Sequence, residues 1–126
     1  TQASRVLADS RVFETRIIPI ADDGRLQQLG TTIRQFFLRY DEVIGSGPIL
    51  RRDEIAPYEA DESFIRLGQD CEHTHLVTRP GEERVFVVAD DVPKEKQVEE
   101  TYPSIYHWVL RVGKEVELDP ENGTTG

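Results

Sequence analysis

Methionine is missing from this chain, cysteine and tryptophan occur once each, and basic residues are scarce. Each gap narrows what the protein can be. The lone Cys71 has no partner for an intramolecular disulfide, so a reducing compartment is the simple expectation. A membrane helix needs about 20 apolar residues in succession, whereas the pure apolar run Val85–Ala89 ends after five. The first residues lack the basic, apolar and then small-residue order of a secretory leader, and the expected location is cytoplasmic. Fifteen Lys and Arg face twenty-four Asp and Glu, for a net charge of −9. Nucleic acid is held by neutralising its phosphates with Lys and Arg, so it is not an expected partner. A membrane is not one either. No phosphate-cradling loop is present, because Gly45-Ser46-Gly47 lacks both the spacing and a following Lys.

What is present is enough for one domain. A chain of 126 residues has room for a single ordinary core without staples. Residues 1–63 carry 11 acids and 8 bases, and residues 64–126 carry 13 acids and 7 bases, so the acidity is concentrated in the second half. Such a field speeds encounter with basic partners, and it also serves plain solubility.

Patterning supplies the elements. Arg11–Ile20 is rich in β-branched residues and reads as a strand that Pro19 confines to an edge. Asp22-Asp23-Gly24 has turn chemistry. Leu26, Leu29, Ile33, Phe36, Phe37, Tyr40 and Ile44 recur at three and four residues, which predicts a helix from Arg25 to about Ile44, or two shorter ones divided at Gly30. Gly45–Pro48 stops it. Ile49–Ile55 reads as a short strand or helical turn. Strands are predicted at Ser63–Leu67, Thr74–Thr78 and Arg84–Ala89, with turns at Gly68–Asp70 and Arg79–Gly81, giving an antiparallel meander. In the first of these strands, Phe64 and Arg66 share one face, Ile65 and Leu67 the other. Asp90–Glu100 reads as a charged connector broken by Pro93. A helix follows over Tyr102–Val112 with a buried stripe of Ile105, Trp108, Val109 and Val112, a C-cap at Gly113, and an edge strand at Lys114–Leu118. The expectation is an α+β domain over residues 1–118, an antiparallel sheet flanked by an N-terminal helix or helix pair and a C-terminal helix, with 119–126 as a flexible tail.

Few residues carry recognisable chemistry. Cys71, His73 and His75 are soft ligands two apart, and on a continuous strand they would share a face. No further Cys or His pair completes a tetrahedral set, so no metal or cofactor is expected. His107 reads as a partly buried packing residue. The acid pairs Asp22-Asp23, Asp61-Glu62, Glu82-Glu83, Asp90-Asp91 and Glu99-Glu100 read mostly as solvated surface. Acids near aromatics make better partner contacts, because aromatic anchors with charged rims form hot spots. Two sets meet that description: Tyr58, Glu59, Asp61 and Glu62, then Asp90, Asp91, Glu99, Glu100 and Tyr102.

Several local strings, taken in order, resemble the SMI1/KNR4 or SUKH superfamily. Ile33-Arg-Gln-Phe-Phe-Leu-Arg-Tyr40 is similar to that family's N-terminal helix, and Leu50–Ile55 to the short segment after its break. Phe64-Ile-Arg-Leu-Gly-Gln-Asp70 resembles its most distinctive stretch. His75–Thr78 and Arg84–Val88 fit its next strands, and Ser104-Ile-Tyr-His-Trp-Val109 its closing helix. Two positions depart: Leu29-Gly30 stands where a Leu-Pro pair often opens the first helix, and Cys71–His75 replaces a glycine-rich hairpin. The resemblance implies a non-enzymatic protein-binding domain, in its sharpest form an immunity protein neutralising a nuclease-type polymorphic toxin. A basic protein, for example such a toxin domain, is then the expected partner. The alternatives are an intracellular regulatory or adaptor domain of the same fold, and a small metal-binding protein or enzyme using Cys71, His73 and His75.

Overall fold

In the computed structural model, which describes residues 1–22, 24 and 26–118, the apolar run Val85–Ala89 is a strand buried along its whole length. The reason is that both of its faces are covered. Val85 and Val87 point into the main core, while Phe86 and Val88 join a smaller cluster on the opposite face with Tyr58, Phe64 and Val77.

The elements in chain order are α1 (Gln2–Ala8), β1 (Glu14–Ile17), α2 (Thr31–Arg39), β2 (Tyr40–Ile44), β3 (Ile49–Arg51), β4 (Ala56–Pro57), β5 (Ile65–Cys71), β6 (Thr74–Thr78), β7 (Val85–Ala89), β8 (Val98–Tyr102) and α3 (Ile105–Leu118). Single 3-10 turns fill Arg52–Glu54 and Lys94–Lys96. All eight strands belong to one antiparallel sheet in the order β1-β2-β3-β5-β6-β7-β8. Strand β4 takes the part of β5 that β3 leaves free, pairing Ala56 with Arg66 while Leu50 pairs with Gly68. The α+β class is therefore as expected, and β1 is indeed an edge strand.

The main core lies between the sheet and helices α1, α2 and α3. Ala3 and Leu7 of α1, Ile33, Phe36 and Phe37 of α2, and Ile105, Trp108, Val109 and Val112 of α3 meet Val43, Leu50, Leu67, Leu76, Val85 and Val87. The facing of β5 follows the two-residue period. Ile65 and Leu67 enter the main core, Phe64 joins the other cluster, and Arg66 lies along an outer cleft. That outer cluster is roofed by cations: the Arg79 guanidinium stacks 5.2 Å from the Phe64 ring centre and 5.1 Å from that of Phe86.

Several expectations are corrected. The helix expected as far as Ile44 ends at Arg39, and Tyr40–Ile44 is a strand. Pairing with β1 and β3 on either side outweighs the helical spacing of Tyr40 and Ile44, and the buried guanidinium of Arg52 donates to the Phe37 carbonyl at 2.6 Å, capping the helix end. The start of α2 is fixed from far away. Both carboxylate oxygens of Glu83 accept from the Thr32 N–H, at 3.3 and 3.2 Å. Gly30 is required there, since a Cβ would come within 2.3 Å of the Glu82 carbonyl oxygen.

Gly68–Asp70 is not a turn but part of β5, and the chain reverses at Glu72-His73 instead. The connector Asp90–Glu100 gives up its last residues to β8, whose exposed charges suit an edge. Gly113 does not end α3, which continues through the expected edge strand Lys114–Leu118. Its missing Cβ lets α1 approach, because a methyl there would lie 2.8 Å from Val6 Cγ1. Helix α1 itself was not expected. Thr1 caps it by accepting from the Ser4 N–H at 3.1 Å. The tail from residue 119, together with Asp23 and Arg25, lies outside the described residues.

Candidate functional site

The acids singled out in the sequence are regrouped by the fold. Asp90 leaves its neighbours in sequence and joins Tyr58 and Glu59 on the outer face of the sheet. Glu99, Glu100 and Tyr102 converge on the helix-covered face, in a groove of about 480 Å³ between α3 and the sheet. Asp61 is a structural residue: it accepts from Ser63 Oγ at 2.7 Å and from the Gln97 amide at 3.0 Å, pinning the approach to β8. Those hydrogen bonds, from Ser63 first and then Gln97, hold its carboxyl below the ordinary range. Glu62 and Asp91 are exposed and have no polar partner among the described residues.

The groove is built from separate places in the chain, Val87 of β7 among them. Edge strand β8 supplies Glu99, Glu100 and Tyr102; the β5–β6 hairpin supplies Asp70, Cys71 and Thr74. Helix α3 contributes Trp108, Arg111 and Glu115, and the β2–β3 turn closes one end with Ser46-Gly47-Pro48. A bulge in β5 between Gln69 and Cys71 lets the hairpin present both Asp70 and Cys71 to this groove.

Its floor is ordered by hydrogen bonds. The Trp108 indole N–H donates to Asp70 Oδ1 at 2.7 Å, and the Thr74 hydroxyl donates to the other oxygen at 3.2 Å. The Tyr102 hydroxyl donates to Glu100. Burial, reinforced by that carboxylate, pushes the Tyr102 phenol far above its ordinary range, so it stays a donor. Arg111 donates to Glu115 at 2.9 Å, one turn along the helix. Glu99 is exposed and has no partner among the described residues. Among the described residues, the lining thus holds four carboxylates (Asp70, Glu99, Glu100 and Glu115) against one guanidinium, leaving a charge of −3.

Cys71, His73 and His75 do not converge. Cys71 lines the groove on the helix-covered face, His75 lines the cleft on the outer face, and His73 is exposed in the turn between them. The two-residue period applies to a continuous strand, and here the reversal at Glu72-His73 interrupts it. Among the described residues, no group of three His, Cys, Asp or Glu is placed to hold a metal ion. His107, expected to be partly buried, is exposed at the start of α3 and hydrogen-bonds Ser104 Oγ through Nδ1 at 2.8 Å.

Pattern reading found Glu99, Glu100 and Tyr102 but missed Asp70, Arg111 and Glu115, which belong to other elements. One signal was available for the last two, because Trp108, Arg111 and Glu115 follow one another at three and four residues on a single helical face. No helix among the described residues is long and apolar enough to cross a membrane. Comparison with protein-family models, with curated proteins and with solved structures gives no match to this chain, so the functional reading rests on the groove itself.

Proposed function

We propose that this chain is a non-enzymatic protein-binding domain of the SUKH kind, and that the groove between α3 and β8 receives a basic segment of its partner. The observation that carries the reading is the convergence of Asp70, Glu99, Glu100 and Glu115 from three separate elements onto one groove in which Arg111 is already paired. A Lys or Arg arriving from a partner is drawn by the negative field these carboxylates share and finds exposed Glu99 open to pair with it. The phenol of Tyr102 and the apolar wall of Val87, Val112 and Val116 can pack on the long stem of such a side chain. A toxin domain that must itself hold nucleic acid is basic and meets this requirement, as does any other cationic partner.

A defined cationic peptide tests the site without knowledge of the partner. Titration of a hexa-arginine peptide, followed by amide chemical shifts and by the emission of the only tryptophan, Trp108, is expected to perturb Asp70, Glu99, Glu100 and α3 together. The double reversal Glu99→Lys/Glu115→Lys should weaken binding by about tenfold or more, while Glu62→Lys/Asp91→Lys on the remote surface should change it only by general screening. Equal losses from both pairs would mean that the peptide reads the net charge alone, and the groove would not be the docking surface. The same variants then apply to any toxin domain encoded beside this chain.

A further inference from the structure

The outer face of the sheet carries a second concavity, about 470 Å³ in volume, that the groove reading does not use. Glu54, Tyr58, Glu59, Arg66, His75 and Asp90 line it. Two hydrogen-bonding groups there are unspent. Tyr58 is only 4% exposed, and its buried hydroxyl has no hydrogen-bond partner among the described residues. Arg66 uses its Nε to donate to His75 Nδ1 at 3.0 Å, and its two terminal nitrogens have no partner among the described residues. A buried polar group left unpaired is costly and rare in folded proteins, so this one asks for a ligand atom.

The guanidinium is held in place. Since His75 Nδ1 accepts from Arg66, the ring proton sits on Nε2, which donates to Asp90 Oδ2 at 3.1 Å. This chain from Asp90 through His75 fixes one edge of the Arg66 fork and leaves the other edge free. The Tyr58 ring packs 5.3 Å from the His75 ring, on the same wall. We propose that this cleft binds a carboxylate group, its oxygens taken by the terminal nitrogens of Arg66 and by the hydroxyl of Tyr58. A planar fork matches a planar carboxylate in two parallel hydrogen bonds. Phosphate fits less well, because Glu54, Glu59 and Asp90 share the cleft and repel a dianion more than a monoanion. The group belongs either to a free small acid or to the C-terminus of a peptide.

The test is a nuclear magnetic resonance titration of the whole chain at constant ionic strength, with sodium acetate, tri-alanine, tri-alanine amide and sodium phosphate as separate probes. Saturable shifts at Arg66 Nε–H, the His75 ring and Tyr58 are expected with acetate or tri-alanine, and none with the amide. Tighter binding of tri-alanine assigns the source to a chain terminus, and tighter binding of acetate to a free acid. Arg66→Lys should weaken carboxylate binding about tenfold by removing the fork. Tyr58→Phe should weaken it about fivefold while raising the urea midpoint of the ligand-free protein, because it deletes an unpaired buried hydroxyl. No saturable shift with either carboxylate, a preference for phosphate, or unchanged binding by Tyr58→Phe would overturn the proposal.

Discussion

The indole N–H of Trp108 donates to the carboxylate of Asp70 at 2.7 Å, joining the first turn of α3 to the end of β5. Trp108 is wholly buried, and Asp70 is the acceptor its indole N–H uses. Asp70→Ala should therefore cost about 1–3 kcal/mol, the usual penalty for stranding a buried donor. Asp70→Asn keeps an acceptor oxygen and should cost less. Urea unfolding followed by the emission of this single tryptophan measures both variants, and a loss no larger for Ala than for Asn would contradict the assignment.

A buried charge lies under the other end of the sheet. Arg52 is 6% exposed and donates to the carbonyls of Phe37 at 2.6 Å and Ile18 at 2.5 Å, with Asp41 3.5 Å away. It ties the end of α2 to the segment following β1. Arg52→Ala strands both carbonyls and leaves Asp41 without this partner, and a loss of about 3–5 kcal/mol is expected. Arg52→Met, which refills the volume, should recover part of that loss; equal stability of wild type and Arg52→Ala would dismiss the clamp.

Asp61 makes stability depend on acid. Hydrogen bonds from Ser63 and Gln97 lower its carboxyl pKa in the folded state relative to the unfolded one. The stability this contributes is present in full above the unfolded value, about 3.9, and is lost as pH falls through the lower folded value. Wild type should thus lose more stability than Asp61→Asn between about pH 5 and pH 3. Parallel chemical denaturation curves at the two pH values decide the point, and identical slopes would mean the hydrogen bonds do not favour the ionised form.

The distant cap on α2 supplies a further test. Glu83→Ala removes the acceptor for the Thr32 N–H and should cost about 1 kcal/mol, as other N-cap deletions do. Gly30→Ala should cost more, since its Cβ would meet the Glu82 carbonyl oxygen at 2.3 Å and push the same loop away. Thermal unfolding of the two variants and their double mutant should give less than the sum, because both act on one contact.

Local patterning made the meander legible. Thr74–Thr78 has the expected bounds, Val85–Ala89 differs from expectation by one residue, and the facing of Ile65, Leu67 and Phe64 agrees. Elements decided by partners far along the chain were not legible. Tyr40–Ile44 has helical spacing yet becomes a strand because β1 and β3 flank it. Gly113 has the look of a helix end, but it serves the close approach of Val6, which no local rule foresees. Helix α1 did carry a signal in the spacing of Ala3 and Leu7, too short to stand out. The candidate groove was half visible for the same reason. Glu99, Glu100 and Tyr102 lie on one strand, whereas Asp70 and Glu115 reach the groove only through tertiary packing.

The contact between Val6 and Gly113 also bears on the order in which the chain folds. Strands β5, β6, β7 and β8 follow one another through short connections, so each pairing closes a small loop and can form early. Helix α1 packs on α3, across nearly the whole described chain, and that closure carries the largest entropic cost. The first helix in the chain is therefore expected among the last to reach its place, because α3 offers it more contact than β1 does.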